Sequence, residues 1–490
     1  MAVSGRCGPL TFRRYRGKAL PARRTIGTAK GQDRSPILPS MTILRLRWLY
    51  GIQGASLGLL LPFLVPLLDD RGLDPAGIGL VLGASGLVSL MTYPVWGALA
   101  DGPLGRGRSI ALAGMLAAGG GVWITLAGSD PAALTLAVSL AFVGALPWGP
   151  ISDALALAAL GEESSSYGRL RAWASLGWAA SAIVAGVAWG LLGSDVVFGS
   201  FALLALAVAG TVVARRRSRS SGEGLAPPHR ARAGDEHGDL EGEREGEPAG
   251  ALTDELELDV DVIQPTPEGA PSPPAFAGGF RGWARTLASP VLLAFLVGLL
   301  VASVGEHATW RYVGLRILEQ GGGTFLVGVA AALPALVEIP IFRGSRRWAN
   351  RLGLRMLFVS GAMLAAVLAL LIGLAAEAWM VTLLRTIDGV AYALRYIGIV
   401  LVIGVLLPRR IHAVGQSLAW LVAAGIAPII ADSVGGLIYD RFGGTAVFVI
   451  AALLIAAGAG IGYTALSGPR FRRARPLPDP SSPGYPGPPG

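Results

Sequence analysis

An apolar segment of this chain begins with Tyr167-Gly168-Arg169-Leu170-Arg171-Ala172-Trp173-Ala174-Ser175-Leu176-Gly177-Trp178 and runs to about residue 192. Asp153 lies 18 positions before Arg171, in the preceding apolar segment. A charge inside a membrane helix costs roughly 2.5 to 3.5 kcal/mol on insertion scales, so such residues usually face a cavity or a partner. An acid and a base at these positions can face each other, which indicates a polar site within a bundle of membrane helices.

The composition favours a protein that crosses the membrane many times. The chain has 490 residues, of which 52% are hydrophobic and 15% charged, and its mean hydropathy is +0.56. Soluble domains average about 25% charged residues. The 70 glycines fit the same class, because small residues let membrane helices approach closely.

The charge and the cysteine content exclude several other classes. The net charge is +9, but the basic residues fall in connecting segments and tails, which membrane topology explains better than a nucleic-acid surface. Cys7 is the only cysteine, so neither an intramolecular disulfide nor a cysteine metal site can form. Nothing resembles a nucleotide loop, a zinc site or a catalytic triad. We therefore predict a protein that is not an enzyme and has no metal or cofactor, with a proton gradient as its energy source.

Hydropathy predicts the number of membrane spans, each of which needs about 20 apolar residues. Six candidates precede residue 215 and six follow the central polar segment. They are 48–68, 76–100, 110–127, 133–158, 172–192, 196–214, 290–315, 324–342, 356–375, 379–407, 412–438 and 444–465. The predicted fold is all-α and integral to the membrane, with twelve transmembrane helices in two pseudo-symmetric six-helix bundles.

The predicted bundles, residues 41–214 and 286–466, are joined and flanked by polar segments. Residues 1–40 form a basic tail that we expect to be disordered, or untranslated if synthesis begins at Met41. Residues 215–285 are rich in acids and prolines, and residues 467–490 are rich in arginine and proline. Neither composition can bury a core, so we expect a disordered linker and a disordered C-terminal tail.

The loop charges predict the orientation in the membrane. Alternate loops contain Arg106, Arg108, Arg346, Arg347, Arg351, Arg355, Arg409 and Arg410, and the opposite loops contain Asp69, Asp70, Asp74, Asp130, Asp195 and Glu377. The positive-inside rule then puts both termini and the linker in the cytoplasm, and an even number of spans gives the same result. We expect a multi-pass protein of the cell membrane that works as a monomer in the lipid bilayer.

A weak internal repeat relates the two predicted bundles. Gly114-Met115-Leu116-Ala117-Ala118 recurs as Gly361-Ala362-Met363-Leu364-Ala365-Ala366, with one insertion. Two parallel six-helix halves are the repeat plan of one class of transporters.

The loops after the second and eighth spans resemble a motif of the major facilitator superfamily, G-x-L-A-D-R-x-G-R-R. The first copy, Gly97-Ala98-Leu99-Ala100-Asp101-Gly102-Pro103-Leu104-Gly105-Arg106, keeps the Asp but lacks the following Arg and has one inserted residue. The second, Trp348-Ala349-Asn350-Arg351-Leu352-Gly353-Leu354-Arg355, has Asn in place of Asp. The segment from Gly436 to Gly443 is also typical of the superfamily. The resemblance implies a gating loop at Asp101, Asn350 and Arg351.

Within that superfamily, residues 167–178 are similar to the fifth helix of the lactose permease family, whose relatives include phenylpropionate and nucleoside proton symporters. The resemblance implies that Asp153 and Arg171 bind substrate, with Trp178 at the place of a sugar-stacking tryptophan. Arg171, Ser175 and Trp178 fall at i, i+4 and i+7, on one helix face. We therefore predict these four residues as a substrate site.

The tenth span carries a second match to that family. Arg385 and Asp388 stand where the permease has a lysine and a histidine that are important for sugar and proton handling. The permease's proton-carrying glutamate is replaced here by Ala391. We predict that Arg385 and Asp388 take part in proton coupling and that the proton carrier lies elsewhere.

Other charges inside the spans supply candidates for that carrier. Glu306 and His307 are adjacent, so they point about 100° apart; one could face the cavity and take a proton, or both could lie solvated near the helix end with Arg311. Glu338 is either a proton acceptor or one member of a structural ion pair. Arg395 suits an anionic substrate or a salt bridge to Glu338 or Glu306.

Four other side chains in or near the spans have an expected location but no predicted site role. Asp432 in the eleventh span is expected to be wet, close to the outer surface. Tyr93, Trp148 and Trp310 could line the cavity, although aromatic residues at helix ends more often anchor the membrane interface.

These residues predict a multi-pass membrane transporter of a small polar organic solute, of the sugar, nucleoside or aromatic acid class. The predicted mechanism is proton-coupled symport by alternating access, in which two bundles rock about a midplane site. A proton-driven exporter of drugs or metabolites would share these features. The alternative of another class is a non-transporting membrane receptor or scaffold that acts through the linker.

Overall fold

The computed structural model describes residues 40–160, 167–220, 289–407 and 411–468, and residue 471. Within these ranges every regular element is a helix. The predictions for the N-terminal tail, for residues 221–285 of the linker and for most of the C-terminal tail lie outside the described residues.

The described helices divide between two halves of the chain. The N-terminal half contains α1 (Ser40–Leu60), α2 (Leu64–Asp70), α3 (Pro75–Asp101), α4 (Gly105–Leu126), α5 (Pro131–Ala145), α6 (Trp148–Leu160), α7 (Tyr167–Leu192) and α8 (Ser194–Ser220). The C-terminal half contains α9 (Pro290–Glu319), α10 (Thr324–Arg343), α11 (Ser345–Leu352), α12 (Leu354–Leu374), α13 (Ala378–Leu406), α14 (His412–Trp420) and α15 (Ala427–Ala465). One π-helical segment, Leu421–Ile426, joins α14 to α15.

Eleven helical stretches in the described ranges are long and apolar enough to cross a membrane. The last of them, Val414–Ala465, has 52 residues, which is more than twice the length that one span needs. The chain turns within it at Gly443, whose φ of 79° a glycine adopts without steric cost. This stretch therefore supplies the predicted eleventh and twelfth spans.

Local sequence explains where several helices begin. Asp74, Asp130 and Ser289 each accept hydrogen bonds from backbone N–H groups of the turn that follows, and each precedes a proline. A short polar side chain at this position satisfies otherwise unpaired N–H groups, and proline suits the first helical position because it needs no donor there. These caps set the first residues of α3, α5 and α9.

Glycines let α1 and α7 pack with their backbones in contact. A Cβ on Gly54 would lie 2.0 Å from the Ala174 carbonyl oxygen, and one on Gly177 would lie 2.1 Å from the Gly51 carbonyl oxygen. Such close approach is typical of small residues at membrane helix interfaces. It fixes α7, which carries Arg171, directly against α1.

We expect Gly54→Ala to destabilise the protein by about 2 to 3 kcal/mol, because the added methyl group must displace the backbone of α7. The matched control is Gly199→Ala in α8, where no heavy atom lies within 4 Å of the new Cβ. That change should be neutral or stabilising by up to about 1 kcal/mol, from helix propensity. Unfolding of the purified protein in detergent measures both, and equal midpoints would contradict the expectation.

The C-terminal half has an apolar core that is built from its own residues. Phe295 of α9 and Phe358 of α12 are fully buried, and their rings meet edge to face with centroids 5.2 Å apart. A ring edge against a ring face is a favoured aromatic geometry. This packing holds α12 against α9.

The two ends of the helical assembly differ in their charge. We call one end the acidic end; it contains the turns between helices at residues 71–74, 128–130, 193, 320–323 and 375–377. We call the opposite end the basic end; it contains the turns at residues 102–104, 344 and 353. Towards the acidic end the halves pack closely. Thr324 Oγ1 donates to the Gly186 carbonyl at 2.8 Å, and a Cβ on Gly79 would lie 2.4 Å from the Asp432 carbonyl oxygen.

The residues towards the basic end differ in their packing and exposure. α6 packs mainly on α1, α4 and α7 of its own half. Across the interface, the side chains of Tyr392 and Trp420 stay 40% and 41% exposed. The halves therefore contact each other closely towards the acidic end, and aromatic residues of the C-terminal half are accessible towards the basic end.

Candidate functional site

The structure brings Asp153 and Arg171 together. Arg171 Nη1 donates to Asp153 Oδ2 at 3.1 Å, and the Tyr50 hydroxyl donates to Asp153 Oδ1 at 2.7 Å. The Arg171 side chain is 55% exposed and that of Asp153 28% exposed. This ion pair is therefore held in position by α1 while it stays accessible to a solute.

α1 supports α6 at a second point beside the pair. Gln53 Nε2 donates to Ser152 Oγ at 2.8 Å, and both side chains are buried. Tyr50 and Gln53 are one helical turn apart, so they reach α6 from the same face of α1. A guanidinium and a carboxylate fixed in this way can together bind two hydroxyl groups or an amide.

Glu338 lies in α10, across the interface from this pair. Its side chain is half-buried and has no hydrogen bond or ion pair among the described residues. The positive charges of Arg385 in its own half and Arg171 in the other half both act on its carboxylate. Among the described residues Glu338 is thus an acid without an ion pair, on which two positive charges act.

Four other predicted charges of the C-terminal half form two ion pairs. Arg385 pairs with Asp388 one turn along α13, and Arg395 of α13 pairs with Glu306 of α9. Arg395 Nη1 also donates to Ser303 Oγ at 3.3 Å. Glu306 was one of the two partners predicted for Arg395; the predicted roles of these residues in substrate binding and proton coupling stay predictions.

An aromatic cluster on α10, α13 and α14 was not predicted from the sequence. Tyr396 contacts the rings of Tyr392, Trp420 and Phe342, with centroid distances of 6.0, 5.3 and 5.4 Å. The charges of Arg171 and Glu338 act on both tyrosines. The i, i+4 spacing of the tyrosines on the helix of Arg385 and Asp388 was the signal that could have found them.

Trp178 bridges the halves in this conformation. Its indole Nε1 donates to the Ala331 carbonyl of α10 at 3.0 Å. Ser175, one turn earlier, is half-buried and has no hydrogen bond among the described residues. The structure therefore gives Trp178 an inter-half contact on the side towards the acidic end, in addition to its predicted substrate role.

We expect Trp178→Phe to favour opening at the acidic end, because it keeps a ring but removes the donor to Ala331. The loss of one neutral hydrogen bond costs about 1 kcal/mol. This energy corresponds to an increase of about fivefold in the ratio of open to closed molecules. Spin labels on Ser129→Cys and Ala376→Cys, without the native cysteine, would report the separation of the halves. Trp379→Phe is the control, because Trp379 is 60% exposed. An unchanged distance distribution would count against this contact.

The prediction that Asp432 is wet was wrong. Asp432 is 2% exposed, and its carboxylate accepts from Arg311 Nε at 2.7 Å and from Arg311 Nη2 at 3.1 Å. The alternative that placed Glu306, His307 and Arg311 solvated near the helix end fails for Arg311, which is only 8% exposed. Two charges 121 positions apart satisfy each other inside the C-terminal half, which hydropathy alone could not indicate.

The other predicted residues lie as follows. His307 places Nδ1 3.1 Å from the Ser303 carbonyl, one turn back along α9. Tyr93 and Trp310 line a cavity between the halves, whereas Trp148 is fully buried. None of these three aromatic residues was assigned a site role from the sequence.

An arginine further along the chain forms an ion pair with Asp101, the acid of the first predicted gating loop. Arg106 Nη2 lies 3.4 Å from Asp101 Oδ1, and Arg106 Nη1 donates to the Ala154 carbonyl of α6 at 2.9 Å. Asp101 therefore has a basic partner although the Arg that follows it in the motif is missing. Asn350 and Arg351 are exposed on α11 at the same end. The gating role of all these residues stays a prediction.

In the part of the chain that the structure describes, no group of three or more His, Cys, Asp and Glu side chains could hold a metal ion. The polar groups of the site are guanidinium, carboxylate and phenol groups, with aromatic rings beside them. Such a set can bind a polar solute through hydrogen bonds and ring contacts.

A family model described as the MFS_1 like family matches residues 43–450. The chain belongs to the major facilitator superfamily. A maltose permease of Geobacillus stearothermophilus is 27% identical to this facilitator over 389 residues, which cover 79% of this chain and 85% of that protein.

Solved structures share the facilitator fold. The nucleoside transporter NupG has a TM-score of 0.64 at 13% identity, covering 87% of this chain and 98% of its own. A peptide transporter POT has a TM-score of 0.61 at 14% identity, covering 86% of this chain and 94% of its own. The prediction of a twelve-helix membrane transporter that is not an enzyme is confirmed.

Proposed function

We propose that this facilitator is a proton-coupled symporter of a small polar organic solute, of the sugar, nucleoside or aromatic acid class. The solute binds near the membrane midplane, between Arg171 and Asp153 of one half and Glu338 of the other. The protein works as a monomer in the cell membrane and uses no cofactor. With both termini in the cytoplasm, the basic end faces the cytoplasm and the structure corresponds to an inward-open state.

The observation that carries this proposal is the unpaired carboxylate of Glu338. The positive charges of Arg385 in its own half and of Arg171 in the other half both act on this carboxylate. Ionised, it attracts Arg171 and draws the halves together; protonated, it loses that attraction. A proton at this position therefore biases which of two conformations is stable, which is what coupling requires.

The groups near the ion pair support this substrate class. Arg171 and Asp153 offer donors and acceptors side by side, and Tyr392, Tyr396 and Trp420 offer flat apolar faces. Rings that carry hydroxyl groups match both features. The similarity to a maltose permease favours a sugar within this class.

Exchange assays test the proposal directly. Purified protein in liposomes loaded with unlabelled maltose, uridine or 3-phenylpropionate should take up the matching labelled solute. Arg171→Ala should weaken binding by about 10- to 100-fold, because hydrogen bonds to charged groups contribute about 1.5 to 3 kcal/mol. Arg347→Ala, at an exposed arginine of α11 with no predicted site role, is the matched control.

Exchange that Arg171→Ala leaves intact would remove the proposed site. Failure of the wild-type protein to exchange any member of a broad panel of these classes would remove the proposed function. Deletion of residues 221–285 distinguishes the receptor alternative, because a permease should still transport without its linker.

A further inference from the structure

A cavity of about 200 Å³ lies between the halves, on the side of α3 and α15. Its walls include Leu61, Tyr93 and Phe142 of the N-terminal half and His307, Trp310 and Arg311 of the C-terminal half. Pockets for drug-sized ligands measure about 300 to 1,000 Å³, so this cavity suits a single ring. It is separate from the site at Arg171 and was not predicted from the sequence.

Arg311 lines this cavity and has one donor that no described residue accepts from. Its Nε and Nη2 atoms bind Asp432, while Nη1 is buried and has no hydrogen-bond partner in the described part of the chain. The whole side chain is only 7% exposed. A buried N–H without a partner is costly, so an acceptor is expected there. Because Asp432 already neutralises the guanidinium, a neutral acceptor suits this position better than an anion.

His307 brings an acceptor one helical turn away. The Ser303 carbonyl can only accept, so Nδ1 of His307 must carry the hydrogen, and Nε2 of the neutral ring is left as an acceptor. Nε2 has no partner among the described residues. Residues at i and i+4 lie about 5 to 6 Å apart at Cβ, so the donor of Arg311 and the acceptor of His307 can serve one hydroxylated edge.

A smaller void lies next to this cavity. Its volume is about 20 Å³, and it shares Trp310 and Arg311 with the cavity and reaches Arg385 and Ala331. A space of this size can hold about one water molecule. The smaller void therefore lies between residues of the cavity wall and Arg385 of α13.

The geometry points to a second substrate subsite in this cavity, for an uncharged ring that carries hydroxyl groups. The ring's hydroxyl oxygen accepts from Arg311 Nη1, and its hydroxyl hydrogen is donated to His307 Nε2. Leu61 and Phe142 cover its apolar part. This inference rests on the proposed function and refines it: one uncharged ring binds here, apart from the site at Arg171.

Cysteine protection tests the subsite without transport. Ala424 lines the cavity and is exposed, and Cys7 is the only native cysteine. In Cys7→Ser/Ala424→Cys, maltose or uridine should slow maleimide labelling at position 424. The anion 3-phenylpropionate should not, because Asp432 cancels the charge of Arg311.

Variants at His307 test the proposed hydrogen bond between the ring's hydroxyl group and His307 Nε2. His307→Ala should raise the maltose or uridine concentration for half-protection about tenfold, and His307→Gln, which keeps an acceptor, should restore most of it. The matched control is His412→Ala, since His412 also bonds a backbone carbonyl, that of Leu407 at 2.6 Å, but does not line the cavity. This control should leave protection unchanged.

The outcomes separate the subsite from the proposed function. If liposomes exchange maltose or uridine but position 424 reacts equally with and without it, the subsite is wrong and the transport function stands. Protection by the anion alone, or protection that His307→Ala leaves unchanged, also overturns the subsite. If no probe is exchanged and none protects, both fail.

Discussion

Glu338→Gln is expected to abolish solute accumulation driven by a pH gradient while exchange continues. Glutamine has nearly the shape of a protonated glutamate but cannot release a proton, so the variant should behave as if permanently protonated. Concentrative uptake in liposomes with an alkaline interior should fall to the level without a gradient. Exchange of internal for external solute needs no net proton movement and should stay within about threefold of wild type.

This combination distinguishes a proton carrier from a binding residue. Arg171→Ala should lower exchange and accumulation together, because both need the bound solute. The matched control is Glu377→Gln, at an exposed acid before α13 that makes no side-chain cap. If Glu338→Gln still accumulates solute in response to the gradient, Glu338 does not carry the proton.

Arg311→Met is expected to destabilise the protein by about 3 to 5 kcal/mol, because it leaves the buried charge of Asp432 without a partner. The double variant Arg311→Met/Asp432→Leu should recover most of this loss, since it removes both buried charges. Thermal or denaturant unfolding in detergent measures the single and double variants as a cycle.

A surface ion pair supplies the matched control for that cycle. Arg71 and Asp195 join the first loop to α8, and the Asp195 side chain is 67% exposed. Arg71→Met should cost less than about 1 kcal/mol, as exposed pairs usually do. If Arg311→Met unfolds at the wild-type midpoint, the pair with Asp432 contributes nothing to stability.

The site could be predicted only where its residues follow from local pattern or resemblance. Asp153 and Arg171 lie 18 positions apart on consecutive spans, and the facilitator resemblance gave the pair a role. Tyr50, which supports Asp153 from α1, lies 103 positions before it, and no local pattern marks it. The prediction for Asp432 was wrong because position along a span does not reveal which neighbouring helix its side chain meets.

The sequence by itself determined the number of spans, the helical class and the superfamily. Hydropathy is a local property that sums over about 20 residues, and the loop motifs are contiguous. The tertiary structure decided which charges are paired: Arg395 pairs with Glu306, and Arg311 pairs with Asp432. Glu338 forms no ion pair among the described residues. The physical reason is that burial of a charge depends on the helix packed beside it, and that neighbour is remote in the chain.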